Sequence, residues 1–160
     1  MDTLEEKTFQ LLENVIFLKK TVLFSSMQTS ELRAIAAIAK ELRFETNKEI
    51  VRENDVGDSL YIIKSGRVKI VKSKDDRQSV KLAELAKGDC FGEMALFDTE
   101  LRSASVYAKE PCTLICIQRD DLTDLLLDYP TIGIEFLKIF IQRLRRANEQ
   151  IETLSVCEGR

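Results

Sequence analysis

The chain has 160 residues, 44% of them hydrophobic and 32% charged, with a formal net charge of −3. That length and balance suit one soluble domain around one core and argue against a broad nucleic-acid-binding surface. Histidine is absent, which excludes Ser-His-Asp and Cys-His nucleophiles, histidine acid–base chemistry and histidine-ligated metal sites, so the sequence reads as a non-enzyme.

The chain opens on Met1-Asp2-Thr3-Leu4-Glu5-Glu6, an acidic start unlike the basic one of a secretory leader. No apolar run approaches the ~18 residues a membrane span needs. Residues 1–40 read as an N-terminal helical segment. Leu11, Leu12, Val15, Ile16 and Leu18 fall near helical spacing, and a second helix, capped by Thr29 or Ser30, carries the stripe Leu32, Ile35, Ala36 and Ala39. The apolar stretch Val22-Leu23-Phe24 between them is expected to dock on the strand region C-terminal to it.

Residues 41–118 switch to short strands: Leu42–Phe44, Glu49–Val51, Leu60–Ile63, Val68–Val71, Val80–Leu85, Ala104–Tyr107 and Thr113–Ile117. Strands at this spacing with glycine turns predict an antiparallel sandwich or barrel. Four of the six glycines (Gly57, Gly66, Gly88 and Gly92) lie here, at turns expected to use positive φ. Lys72–Gln78 reads as a polar hairpin loop.

Residues 119–160 are helical again. A short helix over Asp120–Leu127 ends near Pro130, and a longer one runs from Thr131 to Val156. In the longer helix Ile134, Ile141, Asn148 and Ser155 are seven apart, and Leu137, Leu144 and Ile151 form a second series. This is an a/d heptad pattern with Asn at an a position, and it predicts a parallel homodimer seam through Ile134, Leu137, Ile141, Leu144, Asn148 and Ile151. The competing expectation is a helix that covers its own domain. Phe136 and Phe140 fall outside the seam and are expected to pack back on the strands. The cysteines Cys90, Cys112, Cys116 and Cys157 form no C-x-x-C pair. They are expected buried and reduced, with Cys112, Leu114 and Cys116 on one strand face, as in a cytoplasmic protein.

The most informative stretch is Gly88–Val106. A strand ends at Gly92, and a short run with helix propensity extends from Glu93 to Phe97. Then come Arg102, Ser103 and another strand. The unpaired N–H groups of a first helical turn favour an anion, and a guanidinium suits a phosphate. Ser103 adds a donor, and a sugar hydroxyl is the natural filler between that cradle and Glu93. A surface pairing of Arg102 with Glu100 or Asp98 is the plainer alternative.

Phe91-Gly92-Glu93-Met94-Ala95-Leu96 through Arg102-Ser103-Ala104-Ser105-Val106 resembles the phosphate-binding cassette of the cyclic nucleotide-binding domain family. Ile50–Val68 resembles that family's first barrel half, and roughly residues 22–156 can be placed on it. The resemblance implies a mainly β fold: an eight-stranded antiparallel jelly-roll barrel with N-terminal helices and a long C-terminal helix. It also implies a ligand, cAMP or cGMP, and no cofactor. Arg102 would pair with the cyclic phosphate, Ser103 would donate to it, and Glu93 would accept from the ribose 2′-hydroxyl. Gly92, Met94 and Ala95 would line the cradle by backbone, Val80 and Leu82 would flank sugar and base, and Asn148 and Arg143 on the long helix would approach the base.

Two departures stand out. Asn54 replaces a frequent glycine but tolerates the left-handed conformation, and Leu101 replaces a frequent proline. Ser103 leaves cAMP and cGMP open, with cAMP the first expectation. Occupancy would be reported by movement of the C-terminal helix about a hinge over residues 127–133. Other expectations are a nucleotide-free barrel serving as a dimerisation or docking module, and a transcription regulator fragment without its DNA-binding domain. Neither direct nucleic-acid binding nor a membrane partner is expected of the chain as given.

Overall fold

The computed structural model describes residues 3–159. Helix α1 (Leu4–Lys19) starts on a reciprocal cap. The Glu6 N–H donates to Thr3 Oγ1 at 3.2 Å, and the Thr3 N–H donates to Glu6 Oε2 at 2.6 Å. Its buried face is Asn14, Val15, Phe17 and Leu18, with Leu11 alongside. Leu12 and Ile16 are exposed, because the inward row runs through 11, 14, 15 and 18 and Asn14 takes one of its places. Helix α2 (Thr29–Ile38) begins one residue earlier than expected. The Gln28 N–H donates to Glu31 Oε1 at 3.0 Å, so Thr29 and Ser30 lie inside the first turn rather than capping it. Between the helices, Leu23, Phe24 and Met27 are buried while Val22 is exposed.

Eight strands come next: β1 (Lys40–Phe44), β2 (Glu49–Val51), β3 (Ser59–Ser65), β4 (Val68–Asp75), β5 (Gln78–Leu85), β6 (Cys90–Phe91), β7 (Ser105–Ala108) and β8 (Cys112–Gln118). They form two four-stranded antiparallel sheets, ordered β1-β8-β3-β6 and β2-β7-β4-β5. The first strand lies beside the last, and the second beside the seventh, which is the jelly-roll connectivity the family resemblance implied. A 3₁₀ turn (Glu93–Leu96) separates β6 from β7, and helices α3 (Arg119–Asp128) and α4 (Pro130–Glu158) close the chain.

The core has two parts. Val68, Phe91, Val106, Ala108, Cys112 and Leu114 fill the space between the sheets. Leu18, Phe24, Leu32, Ile115, Ile117, Leu122 and Phe136 fill the space between the first sheet and the helices. Strand β8 serves both because its side chains alternate and both of its faces are covered. Each fully buried Leu, Ile or Phe stabilises the fold by about 1.5–3 kcal/mol relative to exposure. Cys112 and Cys116 are buried as expected; Cys157 is exposed on α4.

Of the turn glycines, Gly66, Gly88 and Gly92 have positive φ, and Asn54 adopts φ 69° in place of a glycine. Gly57 does not share that conformation and is constrained by space instead. A Cβ there would lie 3.0 Å from Ala95 Cβ and 3.1 Å from Arg102 Nε.

Candidate functional site

Strand β6 delivers Gly92 beside β3 through the pairs Tyr61–Phe91 and Ile62–Cys90. Gly92 has φ 79°, and the chain turns there into the 3₁₀ segment. A Cβ at this position would overlap the Arg102 guanidinium and lie 2.7 Å from the Ser59 carbonyl oxygen. Only glycine lets these three groups share the space.

The backbone of Arg102 is clamped on the 54–55 turn. Its N–H donates to the Asp55 carbonyl at 2.8 Å, and its carbonyl accepts from the Asn54 N–H at 2.8 Å. The side chain turns inward. Arg102 Nη2 donates to the Ser59 carbonyl at 2.9 Å, and Cζ lies 5.9 Å from the centroid of the Tyr61 ring. Tyr61 in turn stacks on Phe91 at 5.1 Å. Arg102 therefore makes neither of the surface pairings with Glu100 or Asp98 weighed as the alternative; its guanidinium lies against Gly92, one residue from Glu93.

Glu93 faces the other way, toward the C-terminal helix. Arg143 Nη1 donates to Glu93 Oε1 at 2.9 Å, and Arg143 Nη2 lies 3.8 Å from Cys90 Sγ. Burial pushes the Cys90 thiol up, the Glu93 charge adds to that, and Arg143 partly offsets both. This ion pair joins the cassette to α4 directly.

The remaining expected residues are spread around this centre. Ser103 is exposed, and its carbonyl accepts from Lys72 Nζ at 3.1 Å. The Ala95 N–H already donates to the Gly92 carbonyl at 3.1 Å. The Met94 side chain points outward, where it lines an apolar groove of about 590 Å³ with Phe97, Asp98, Gly133, Phe136, Leu137 and Phe140. Val80 and Leu82 sit on β5, an outer strand of its sheet, 45% and 56% exposed. Asn148 is exposed on α4, five residues beyond Arg143.

Sequence reasoning missed Arg119. Its Nη1 donates to the carbonyls of Gly57 (3.3 Å), Ala95 (3.3 Å) and Asp98 (2.8 Å). One guanidinium at the start of α3 thus ties both segments that surround Arg102. No local motif marks such a residue; its partners are 21 to 62 positions away. Glu53 was also unassigned. Its N–H donates to Ser105 Oγ and its carboxylate accepts from the Ser73 N–H, which links the 54–55 turn to β4 and β7.

Arg102 thus lies against a left-handed glycine, and the next residue's carboxylate is bridged to the closing helix α4. Residues 41–129 match the model of the family described as cyclic nucleotide-binding domain. The chain belongs to that family.

The chain is 30% identical over 143 residues to the "Cyclic AMP receptor protein" of Thermus thermophilus, covering 89% of this chain and 66% of that protein. It is 28% identical over 122 residues to the "cGMP-dependent protein kinase egl-4" of Caenorhabditis briggsae, covering 75% of this chain and 16% of the kinase. The solved regulatory domain of Toxoplasma gondii PKA with cAMP superposes with a TM-score of 0.73 at 26% identity, covering 89% of this chain and 51% of that one. The chain thus spans about two thirds or less of these relatives. It is a cyclic nucleotide-binding regulatory module, and no helix among the described residues is long and apolar enough to cross a membrane.

Proposed function

We propose that the chain binds a cyclic mononucleotide, cAMP ahead of cGMP, between the Gly92–Ser103 segment and α4, and that α4 carries the occupancy signal. The observation that carries this reading is the Glu93–Arg143 ion pair, with Arg102 one step away on Gly92. Glu93 belongs to the cassette and Arg143 to the helix, so whatever engages the carboxylate also bears on the helix.

Arg102 has a neutral carbonyl as its partner. A phosphate offers a charge-assisted, bidentate alternative, roughly twice as strong per hydrogen bond. Gly92 leaves the guanidinium room to reach it, with Ser103 as a second donor and the backbone of Met94 and Ala95 beside them. A ribose 2′-hydroxyl donates to Glu93 and competes with Arg143 for the same oxygens. Val80 and Leu82 supply apolar surface to sugar and base, and Asn148 meets the base edge from α4. Ligand then favours the helix position in which these contacts coexist, and the shift equals its differential affinity for the two positions. A cyclic AMP receptor in Thermus thermophilus and a Toxoplasma gondii regulatory domain crystallised with cAMP support cAMP as the first choice; Ser103 is compatible with either base.

Isothermal titration with cAMP and cGMP tests the proposal. Arg102→Ala is expected to lose about 2–5 kcal/mol of binding, because it leaves a phosphate unpaired. Arg143→Ala is expected to retain binding and to reduce, without abolishing, the ligand-dependent change in α4 hydrogen exchange. If neither nucleotide binds the parent chain, the domain is a nucleotide-free docking module.

One observation favours a homodimer as well. Ile134, Leu137, Ile141, Leu144 and Ile151 are all exposed, between 42% and 62%, whereas Ile132, Phe136 and Ile139 of the same helix are buried. The heptad positions thus leave an apolar stripe uncovered by their own domain, as a helix seam between two copies requires.

A further inference from the structure

The molecule has a second cleft, on the side of α1 and β1. It encloses about 510 Å³ and is lined by Lys7, Gln10, Leu11 and Asn14 of α1, by Ala36, Ala37 and Ala39, and by Glu41 and Arg43 of β1. The α1 residues recur at i, i+3, i+4 and i+7, one face of the helix. Opposite them, alanines leave the room that larger side chains would fill.

Asn14 lies in that wall at 6% exposure, and its Oδ1 has no hydrogen-bond partner. A buried polar atom without a partner is destabilising, and native folds keep few of them. The amide torsion is soft, so either edge of the group can turn to the cleft. Glu41 is not free to serve it. Its carboxylate accepts from Gln10 Nε2 and Lys64 Nζ, both at 2.9 Å, and lies 3.8 Å from Arg43. Burial pushes the Glu41 carboxyl up, but the bonds from Lys64 and Gln10 outweigh that and hold it below its ordinary value. The cations that face the cleft from opposite walls are the exposed Lys7 and Arg43, the latter held only loosely by Glu41 at 3.8 Å.

We propose that this cleft binds a small hydroxylated anion, of the polyol-phosphate type. Its charged end lies between Lys7 and Arg43, and a hydroxyl donates to Asn14. The polar lining disfavours a docked helix or lipid, which need an apolar floor. Nothing in this proposal depends on the nucleotide reading, since α1 and β1 carry none of the residues at Gly92–Ser103.

The test is an NMR titration of the full chain with glycerol 3-phosphate, following the Asn14 side-chain amide. A saturable shift is expected, with glycerol giving none. Lys7→Glu with Arg43→Glu is expected to weaken binding at least tenfold; both residues are exposed, so the fold is retained. Asn14→Leu is expected to weaken binding while leaving the ligand-free Tm equal or higher, because it removes the orphan oxygen. An unmoved Asn14 amide overturns the proposal. So does binding that survives the charge reversals but is lost in Arg102→Ala, since the phosphate would then be seated in the nucleotide cradle.

Discussion

Replacing Gly92 with alanine separates the demands of conformation and space at the cassette. Gly92 and Gly88 both have positive φ, 79° and 91°. A Cβ at Gly88 meets nothing within 4 Å, whereas one at Gly92 overlaps the Arg102 guanidinium and approaches the Ser59 carbonyl to 2.7 Å. Left-handed backbone costs an L-residue about 1–2 kcal/mol. The alanine's stiffer unfolded chain returns about 0.4–1 kcal/mol. Gly88→Ala should therefore lose about 1 kcal/mol or less. Gly92→Ala carries the same balance plus overpacking of about 1–3 kcal/mol, because the carbonyl belongs to β3 and cannot swing aside as a side chain would. The expected loss is about 2–3 kcal/mol, or a Tm fall of about 5–10 °C for a chain of this size. Calorimetry on both variants gives the comparison, and cAMP titration tracks the displaced guanidinium. The reasoning fails if Gly92→Ala melts within a degree or so of Gly88→Ala and binds nucleotide as the parent does.

Arg119→Met strips the charged donor from three carbonyls, and after discounting for partial exposure it should cost about 1–2 kcal/mol. Hydrogen exchange is expected to rise first in residues 93–98, and uniform loosening of the whole barrel would contradict the bracing role. Glu84 is held down to about 2 by hydrogen bonds from Lys109 and Lys81. A depressed carboxylate stabilises the fold above its unfolded value and loses that contribution as pH falls through the folded one. A carbon-detected titration should therefore show Glu84 still ionised at pH 3, while Lys109→Met brings its midpoint back toward 4.5. Ile141→Glu places a charge in the middle of the exposed α4 stripe. Sedimentation velocity should show a dimeric parent and a monomeric variant with unchanged Tm; an equal sedimentation coefficient for both removes the helix seam.

Strands β1, β3 and β8 fall near their expected positions, β3 and β8 as apolar runs covered on both faces, whereas β4 continues to Asp75 through residues expected to form the hairpin loop. Strand β5 begins two residues earlier than its apolar run, since Gln78 and Ser79 pair with β4 without burying anything. The cassette residues were legible as a run, but their partners were not. Arg102 pairs with a carbonyl 43 positions away, and Glu93 with a guanidinium 50 away. Such contacts are set by how the sheets and α4 fold back, which residue types do not encode. Cys157 was misread because hydrophobic character shows what can be buried, not what is.

How much can one ion pair contribute to a helix switch? Glu93 and Arg143 are partly exposed, so their pair is worth about 0.2–1 kcal/mol. Moving a two-state equilibrium from 1:99 to 99:1 takes about 5.5 kcal/mol. On the proposed mechanism the ion pair alone therefore shifts the α4 equilibrium only a few-fold. Larger contacts between the same two elements lie beside it. Phe97, just after the 3₁₀ turn, meets Phe136 edge-on at 5.5 Å and Phe140 at 5.8 Å, each worth about 0.5–1.5 kcal/mol beyond burial. Phe97 and Glu93 leave the same short turn, so a ligand that re-aims the turn acts on both at once. Phe97→Ala should then change the resting position of α4 more than Arg143→Ala does. Arg143→Ala should mainly change how strongly the ribose hydroxyl is felt. Equal effects of the two substitutions on α4 exchange would place the coupling elsewhere.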